Sequence, residues 1–398
     1  MKTMLKVTLL LMLSLTISGP VVAQNSQSVG TPSNPDAELH QRILNQAISE
    51  YNRARDFARS AGNLTTPERR TSYYQQMLTA VGDARRLLEG VETSGRVNQQ
   101  INELVNSYWA LEHNAAVNIL TNGDGRTLSQ SDHTARVHLE NAILIQPDSM
   151  ASYQTLAWHL LDTGDTTEAL ALFEDAIDRF DTPAPELYDD LIELYFQEAR
   201  YEEITELAAR ALRDYPEEEA FLQYQIDAHL QLGERKETIP LLRNLIEKES
   251  GNPLYHLLLG SQLYQLAVEQ PDAQVLLIRE PDPGAPDNNL VQEAINELET
   301  AAELDPSNAQ IFGTLGIIYR NRAIVLFGLH DSSDDILEAL NYDRRGREQL
   351  EQARAYTERA ADLNPEESEY LESLYHIYTR LGLATERDEV IRKLQALE

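Results

Sequence analysis

Residues 294–319 read AINELETAAELDPSNAQIFGTLGIIY and contain the end of one helix, a turn and the start of the next helix. Ala294, Leu298 and Ala301 are spaced by four and then three residues, which places them on one helix face. Pro306 breaks this pattern, and the Ser-Asn pair after it supplies turn and N-cap chemistry. The apolar pattern then resumes, so the stretch predicts two packed helices joined by a tight turn.

The apolar triplet of the first of these helices recurs along the chain at a nearly constant interval. Ala135 and Leu139, for example, are followed 34 residues later by Ala169 and Phe173. The matching triplets are Ala135, Leu139 and Ala142; Ala169, Phe173 and Ala176; Ile204, Ala208 and Ala211; and Thr238, Leu242 and Leu245. A repeat of this length with helix–turn–helix chemistry predicts an array of stacked helix pairs.

The repeated unit resembles the tetratricopeptide repeat (TPR), in which aromatic residues and a Leu-Gly pair mark one helix and small residues before a proline mark its partner. The resemblance is good over 98–398 and weaker over 36–97. It implies an all-α fold, a right-handed α-solenoid of antiparallel helix pairs that forms a TPR-like superhelix. We therefore predict a linker at 24–35, a degenerate N-terminal helical pair at 36–97 and a repeat array over 98–398.

Three repeats have a longer connection between their two helices than the family pattern has. The extra residues lie near 120–131, 268–289 and 320–346. The last of these predicts two prolonged helices in a projecting hairpin, with Ser332 or Ser333 capping the returning helix. Four prolines interrupt the middle segment, so a continuous helix is excluded there. Its short apolar run at 275–278 is expected to pack against the rest of the protein.

Residues 1–23 predict a secretory signal peptide. Lys2 and Lys6 precede the apolar run 7–17, which is shorter than the ~20 residues that span a bilayer, and cleavage before Gln24 is predicted. An uncleaved anchor is the alternative. The chain has no cysteine, which excludes an N-terminal lipid-modified cysteine and a disulfide framework. We predict an exported bacterial protein, periplasmic or envelope-associated, that is not a lipoprotein and has no transmembrane segment after cleavage.

The net charge of −32 limits the kinds of partner that the surface can bind. Nucleic acid is excluded as a partner because the phosphate backbone requires a basic surface. Anionic membranes are disfavoured for the same reason. The acidic, lysine-poor composition fits either an adaptation to saline surroundings or a genome that favours arginine codons, and both explanations remain open.

Motifs that would indicate catalysis or cofactor binding are absent from the sequence. It contains no phosphate loop, dinucleotide fingerprint or nucleophile elbow. His133 and His138 have no third ligand nearby, which favours surface histidines over a metal site, and the turn at 122–125 lacks the oxygen ligands of a calcium loop. We therefore predict no catalytic, cofactor-binding or metal-binding residue, and a protein that is not an enzyme.

The resemblance implies that the first helices of the pairs line a concave groove, in which polar and aromatic residues bind a partner segment. The positions that match are Gln154, Trp158, Asp162, Asp189, Glu193, Phe196, Gln197, Gln223, Asp227, Gln231, Tyr264, Arg320 and Asn321. The Lys and Asn clamp that some family members use for a peptide carboxylate is missing. A neutral or basic extended segment of a protein or peptide is therefore expected, stacked on Trp158 or Phe196. The alternative is that these two aromatics pack between repeats.

Two functions are compatible with these features. The favoured one is a non-enzymatic protein–protein interaction scaffold of the bacterial cell envelope, because a solenoid offers an extended surface to a partner. The alternative is a periplasmic protein that binds carbohydrate or another small ligand through the insertions at 268–289 and 320–346.

Overall fold

A computed structural model describes residues 35–91, 94–122, 128–279 and 289–397. The predicted signal peptide and all of the predicted linker except Pro35 lie outside these residues. The described residues form seventeen helices and no strand.

The helices alternate between a first and a second member of each pair. The first helices are α1 (Pro35–Gly62), α3 (Gly95–Asn122), α5 (Met150–Thr163), α7 (Pro185–Gln197), α9 (Glu219–Leu232), α11 (Pro253–Val268), α14 (Ala309–Ser332) and α16 (Ser368–Leu381). The second helices are α2 (Pro67–Leu88), α4 (Leu128–Ile145), α6 (Thr166–Arg179), α8 (Tyr201–Asp214), α10 (Arg235–Lys248), α13 (Leu290–Leu304), α15 (Ile336–Leu363) and α17 (Ala384–Leu397). A short helix, α12 (Ala273–Ile278), lies between α11 and α13 in the chain.

The first and second helix of a pair pack side by side. Such contacts join α1 with α2, α3 with α4, α5 with α6, α9 with α10, α11 with α13, α14 with α15, and α16 with α17. Short turns connect most of these partners, so the two helices of a pair run antiparallel. The predicted all-α solenoid of antiparallel helix pairs is therefore confirmed.

The 34-residue interval in the sequence corresponds to the inward face of the second helices. The residues at these positions are all buried: Ala135, Leu139, Ala142, Ala169, Phe173, Ala176, Ile204, Ala208, Ala211, Thr238, Leu242, Leu245, Ala294, Leu298 and Ala301. Small side chains dominate the set, and a small residue lets the neighbouring helix approach closely. Periodic burial of this kind is what holds a repeat array together, because each pair covers the apolar face of the next.

The junction at 294–319 folds as its sequence predicts. Asn308 caps α14, and its side-chain oxygen accepts a hydrogen bond from the backbone N–H of Gln310 at 3.0 Å. Gly316 faces α15, where a Cβ atom would collide with the hydroxyl of Thr357. The Leu-Gly pair of the repeat therefore has a steric basis, since the glycine permits α14 and α15 to approach closely.

The chain divides into two compact units, each described by itself. Unit 1 ends at Leu191 and unit 2 begins at Ile192, within α7. In unit 1, residues of α1, α2 and α3 share one apolar core with Ile145 of α4. The largest core cluster of unit 2 is formed by residues of α9 to α14. The predicted division of the chain at 97/98 stays a prediction.

The helices α14 and α15 are both prolonged, with 24 and 28 residues, and form a long hairpin. The predicted cap of its returning helix is wrong. Asp335 is the N-cap, and its carboxylate accepts hydrogen bonds from Leu337 N at 2.8 Å and Glu338 N at 3.2 Å. The hydroxyl of Ser332 donates instead to Gly328 O at 2.9 Å, within α14. A carboxylate at this place also interacts favourably with the helix dipole.

The described part of the middle insertion packs against the protein, as its apolar run predicts. Helix α12 contacts α11, α13 and α14, and the side chains of Leu276 and Leu277 are buried. The guanidinium of Arg345 in α15 donates to Ile278 O at 2.9 Å. The segments 268–289 and 320–346 therefore meet in the structure. Residues 280–288 lie outside the described part of the chain.

Candidate partner-binding face

The predicted groove residues lie on the first helices, whose side chains connect each helix to the next first helix. We call the surface that carries these side chains the first-helix face. In unit 1 it is formed by α3, α5 and the start of α7, and in unit 2 by the end of α7 with α9, α11, α14 and α16. Each unit has its own set of connecting contacts.

In unit 1 the connecting contacts are hydrogen bonds from large side chains. Trp109 of α3 donates its indole N–H to Ser152 Oγ of α5 at 2.9 Å. Trp158 donates to Asp190 Oδ2 of α7 at 2.9 Å, and Gln154 Nε2 donates to the same oxygen at 3.1 Å. The ring of Trp158 is half-buried. These contacts favour the alternative in which Trp158 packs between neighbouring repeats.

In unit 2 each first helix is linked to the next by at least one side-chain contact. The rings of Phe196 and Tyr224 lie 6.1 Å apart and join α7 with α9. Gln223 donates to Tyr255 OH at 3.0 Å and joins α9 with α11.

The links continue towards the end of unit 2. Asn321 Nδ2 donates to Tyr264 OH at 2.6 Å and joins α14 with α11, and Arg320 donates to Ser373 Oγ at 3.0 Å and joins α14 with α16. Tyr264 is buried, and burial raises the pKa of its phenol. The predicted groove residue Tyr264 is therefore part of the packing between helices.

A row of polar side chains remains exposed on the first-helix face of unit 2. Its members are Glu193 and Gln197 on α7 and Gln223, Asp227 and Gln231 on α9. Successive members on one helix are four residues apart, which keeps them on one side of that helix. Two carboxylates and three amides are thus presented together, and this row is the part of the predicted groove that a partner could reach.

The remaining predicted positions fall into two groups. Asp162 in unit 1 is exposed, whereas Asp189 is half-buried. Arg320 and Asn321 are half-buried in the contacts described above. The structure thus brings most of the thirteen positions onto the first-helix face, but it leaves only part of them accessible. Their binding role stays a prediction.

One residue of this face was not among the predicted positions. Ile324 follows Arg320 by four residues and Asn321 by three, so it lies on the same side of α14. Its side chain is 58% exposed, so it adds an apolar group to the accessible part of this face. The helical spacing from Arg320 was the sequence signal that could have identified it.

The two histidines that the sequence predicts to be on the surface have different environments. His133 is exposed, 3.4 Å from Glu68, as predicted. His138 is buried, and its Nδ1 lies 2.6 Å from Glu112 Oε2, so the surface prediction is wrong for this residue. Among the residues that the structure describes, no group of three or more His, Cys, Asp or Glu could hold a metal ion.

Glu112 is the centre of a buried polar cluster in unit 1. Its Oε1 accepts hydrogen bonds from Arg70 Nη1 at 2.8 Å and from Tyr74 OH at 2.6 Å, while Oε2 faces His138. Burial alone would raise the pKa of Glu112, but the hydrogen bonds from His138, Tyr74 and Arg70 outweigh it and hold the pKa below its usual value. The cluster therefore joins α2, α3 and α4 through one buried carboxylate.

A shallow cavity of about 460 Å³ lies beside His133 in unit 1, between α4 and the α5–α6 turn. Arg136 borders it and pairs with Glu140 at 2.8 Å and with Glu168. His159 Nε2 lies 3.1 Å from Asp132 O. The polar groups around the cavity therefore satisfy one another, and the arrangement lacks an activated nucleophile or a paired acid and base.

This chain is similar to several solved structures of helical repeat proteins. No protein-family model matches the chain, and no curated protein matches it. The structure of YrrB, described as a TPR protein with an unusual peptide-binding site, is 19% identical; the match covers 59% of this chain and 96% of YrrB, with a TM-score of 0.39. MamA from Desulfovibrio magneticus RS-1 is 16% identical over 53% of this chain and 92% of its own, with a TM-score of 0.37.

PilF of Pseudomonas aeruginosa is also similar, with 16% identity over 67% of this chain and 97% of its own, and a TM-score of 0.33. Similarity at these levels carries no conclusion about function. None of the described helices is both long enough and apolar enough to cross a membrane. The 34-residue interval and the packed helix pairs of the chain itself identify its fold as an array of tetratricopeptide-like helix pairs.

Proposed function

We propose that this protein is a non-enzymatic interaction scaffold of the bacterial cell envelope, and that its first-helix face in unit 2 binds an extended segment of a partner protein. The observation that carries the proposal is the exposed row on α7 and α9. The ring contact between Phe196 and Tyr224 holds these two helices side by side, so the row is presented without a large rearrangement. Its position is therefore suited to a segment that crosses from one first helix to the next.

The chemistry of the row indicates the kind of segment that fits. Gln197, Gln223 and Gln231 carry amide groups, which both donate and accept hydrogen bonds and so match the backbone of an extended peptide. Glu193 and Asp227 carry negative charge and favour lysine or arginine on the partner. A neutral or basic segment is thus preferred over an acidic one.

The experiment isolates a partner and then tests the row directly. The mature chain is used for affinity capture from an envelope extract, and the captured protein is prepared in recombinant form for titration. We expect the double variant Glu193→Lys, Asp227→Lys to weaken binding roughly ten-fold or more, because two attractive contacts become repulsive. The matched control is Glu202→Lys with Glu217→Lys, which changes the net charge equally at exposed positions of α8 and of the turn before α9.

Equal weakening by both double variants would contradict the proposal, since the effect would then come from net charge alone. The alternative function predicts a different result. Glycan binding that is lost on deletion of 268–289, with no protein partner captured, would favour a ligand site at the insertions. The contacts of α12 with α14 and of Arg345 with Ile278 O bring those insertions together and make this alternative specific enough to test.

A further inference from the structure

The tip of the α14–α15 hairpin extends beyond the tight packing of its two helices. Phe327 and Gly346 mark that packing, since a Cβ atom on Gly346 would lie 2.8 Å from the Phe327 ring. From Ile336 to Gly346 the helix advances by ten residue steps, or about 15 Å at the usual helical rise. This arm is anchored at its base by the hydrogen bond from Arg345 to Ile278 O, at 2.9 Å.

The start of α15 exposes three large apolar side chains. Ile336, Leu337 and Leu340 are 77%, 79% and 59% exposed, the highest values among the large apolar side chains in the described part of the chain. Leu340 follows Ile336 by four residues and Leu337 by three, so it neighbours both on the helix surface and the three side chains form one patch. Capping does not require them, because the N-cap of α15 is the Asp335 carboxylate. We call these three residues the apolar tip.

The turn and the first part of α15 around the apolar tip are acidic. Between 331 and 343 the chain contains no lysine or arginine, whereas Arg344, Arg345 and Arg347 follow towards the base of the arm. Acidic residues flank the tip on both sides along the chain: Asp331, Asp334, Asp335, Glu338 and Asp343. Asp335 is occupied as the N-cap, Asp331 lies 2.8 Å from His330, and Asp343 pairs with Arg347 at 2.9 Å. Glu338 accepts hydrogen bonds from Ser333 Oγ at 3.1 Å and from Tyr342 OH at 3.0 Å and keeps its charge at the border. An apolar patch with an acidic border therefore faces the solvent at the end of the arm.

The charge limits what can cover such a patch. A second copy of the chain carries a net charge of −32, and two tips that meet would bring their acidic borders together. An anionic lipid surface is repelled in the same way. A surface that is apolar at its centre and basic at its rim complements both properties of the tip. Apolar patches with a polar border are typical of protein interaction sites.

We propose that the apolar tip is a second docking site, separate from the first-helix face, which binds an amphipathic helix with lysine or arginine on its polar side. The three apolar residues enter the apolar face of that helix, and the acidic border pairs with its basic residues. The arm holds this site away from the rest of unit 2. One protein can thus engage two partners, or two parts of one partner, at the same time.

The test uses the full mature chain and three defined probes. The first probe is a synthetic amphipathic helix with leucine on one face and lysine on the other, and the second has glutamate in place of lysine. The third is a vesicle of phosphatidylglycerol. The tip variant carries Ile336→Ser, Leu337→Ser and Leu340→Ser. The control carries two substitutions, Leu254→Ser and Leu304→Ser, at apolar residues of unit 2 away from the tip that are 53% and 42% exposed.

We expect the lysine helix to bind the native chain and the control equally, and the tip variant at least ten-fold more weakly. Added salt should weaken the native interaction. Circular dichroism melts should be unchanged in both variants, since the altered side chains are exposed.

Several results would overturn the proposal. They are the absence of binding by the lysine helix, equal binding by the native chain and the tip variant, and tip-dependent binding of the glutamate helix or of the vesicles. Light scattering that shows a dimer lost in the tip variant would assign the tip to self-association instead.

Discussion

Trp158 donates its indole N–H to the carboxylate of Asp190 at 2.9 Å, and this bond joins two successive first helices of unit 1. The aromatic side chain that the sequence offers as a stacking platform is therefore fixed at one end by the scaffold. A half-buried ring with a bonded N–H contributes to stability whether or not a partner stacks on it. Stability and binding must be measured separately at this residue.

We expect Trp158→Phe to lower the free energy of unfolding of unit 1 by about 1 kcal/mol, the usual contribution of one hydrogen bond. The ring packing is largely kept, and Gln154 still donates to Asp190 Oδ2 at 3.1 Å. Both tryptophans of the chain, Trp109 and Trp158, belong to unit 1. Urea unfolding followed by the fluorescence of Trp109 therefore reports on this unit.

The comparison variant is Trp158→Ala, which also removes the packing of the ring. A larger loss than in Trp158→Phe is expected, because truncation of a half-buried aromatic adds a packing term. Equal stability of the native chain and both variants would show that the bond to Asp190 has no energetic role.

Because the carboxylate of Glu112 is buried and paired, we expect the stability of unit 1 to depend strongly on this residue. Glu112→Gln leaves the Arg70 guanidinium in the protein without its countercharge, and removal of one partner of a buried pair costs about 3 kcal/mol. The control is Glu103→Gln, an exposed position on the same helix, where a change within about 0.5 kcal/mol is expected. Tryptophan fluorescence during urea unfolding measures both variants.

The same residue gives stability a pH dependence with a defined sign. The folded protein holds the pKa of Glu112 below the ordinary value of 4.5, so its contribution is present above that pH and is lost as the pH falls through the folded pKa. Unit 1 should therefore lose stability more steeply on acidification below pH 4.5 in the native chain than in Glu112→Gln. Parallel curves for the two proteins would contradict this assignment.

Two glycines of unit 2 predict opposite effects of the same substitution. A Cβ atom on Gly260 would lie 2.9 Å from the carbonyl oxygen of Ala294 and 2.7 Å from Leu298 Cγ. The backbone of α13 cannot move away easily to relieve this contact. We expect Gly260→Ala to destabilise unit 2 by about 1–3 kcal/mol, as overpacking does. Gly328 has open space around the same position, so Gly328→Ala should stabilise α14 by about 0.5–1 kcal/mol.

Thermal and urea unfolding monitored by circular dichroism measure the two glycine variants. The pair controls for helix propensity, because both substitutions replace glycine by alanine within a helix. If Gly260→Ala were stabilising, the close approach of α11 and α13 would not depend on the missing side chain.

The helix pairs could be predicted because their signals are local. Ala294, Leu298 and Ala301 reveal a helix face by their spacing alone, and Pro306 marks its end. Every such position in the 34-residue series is buried, because one periodic face of each second helix packs inward. The fold thus follows from information contained within single repeats.

The accessible part of the face could not be predicted in the same way. Trp158 and Asp190 are 32 residues apart, and their bond depends on how two helices pack. Likewise, nothing in the sequence around His138 indicates that its partner is Glu112 on the preceding helix. Whether a polar side chain is buried depends on such pairings between helices. These pairings do not alter the apolar periodicity of either helix, so the sequence pattern does not reveal them.

The stability of the first turn of α15 depends on its N-cap. The sequence around it contains several serines and aspartates, any of which can cap a helix, and Asp335 is selected because its extended backbone directs its carboxylate at Leu337 N and Glu338 N. We expect Asp335→Ala to cost about 1 kcal/mol. Asp334→Ala removes the same charge one residue earlier and should have little effect, since it leaves the cap in place.

Hydrogen exchange is the suitable measurement, because it reports opening of the first turn of α15 while the rest of the protein stays folded. Amide protons of residues 337–342 should exchange about five-fold faster in Asp335→Ala, which is the ratio that corresponds to about 1 kcal/mol. Exchange in α16 should be unchanged, because that helix does not contact the cap. If exchange were faster in Ser332→Ala or Ser333→Ala but unchanged in Asp335→Ala, the N-cap would be one of the serines and not Asp335.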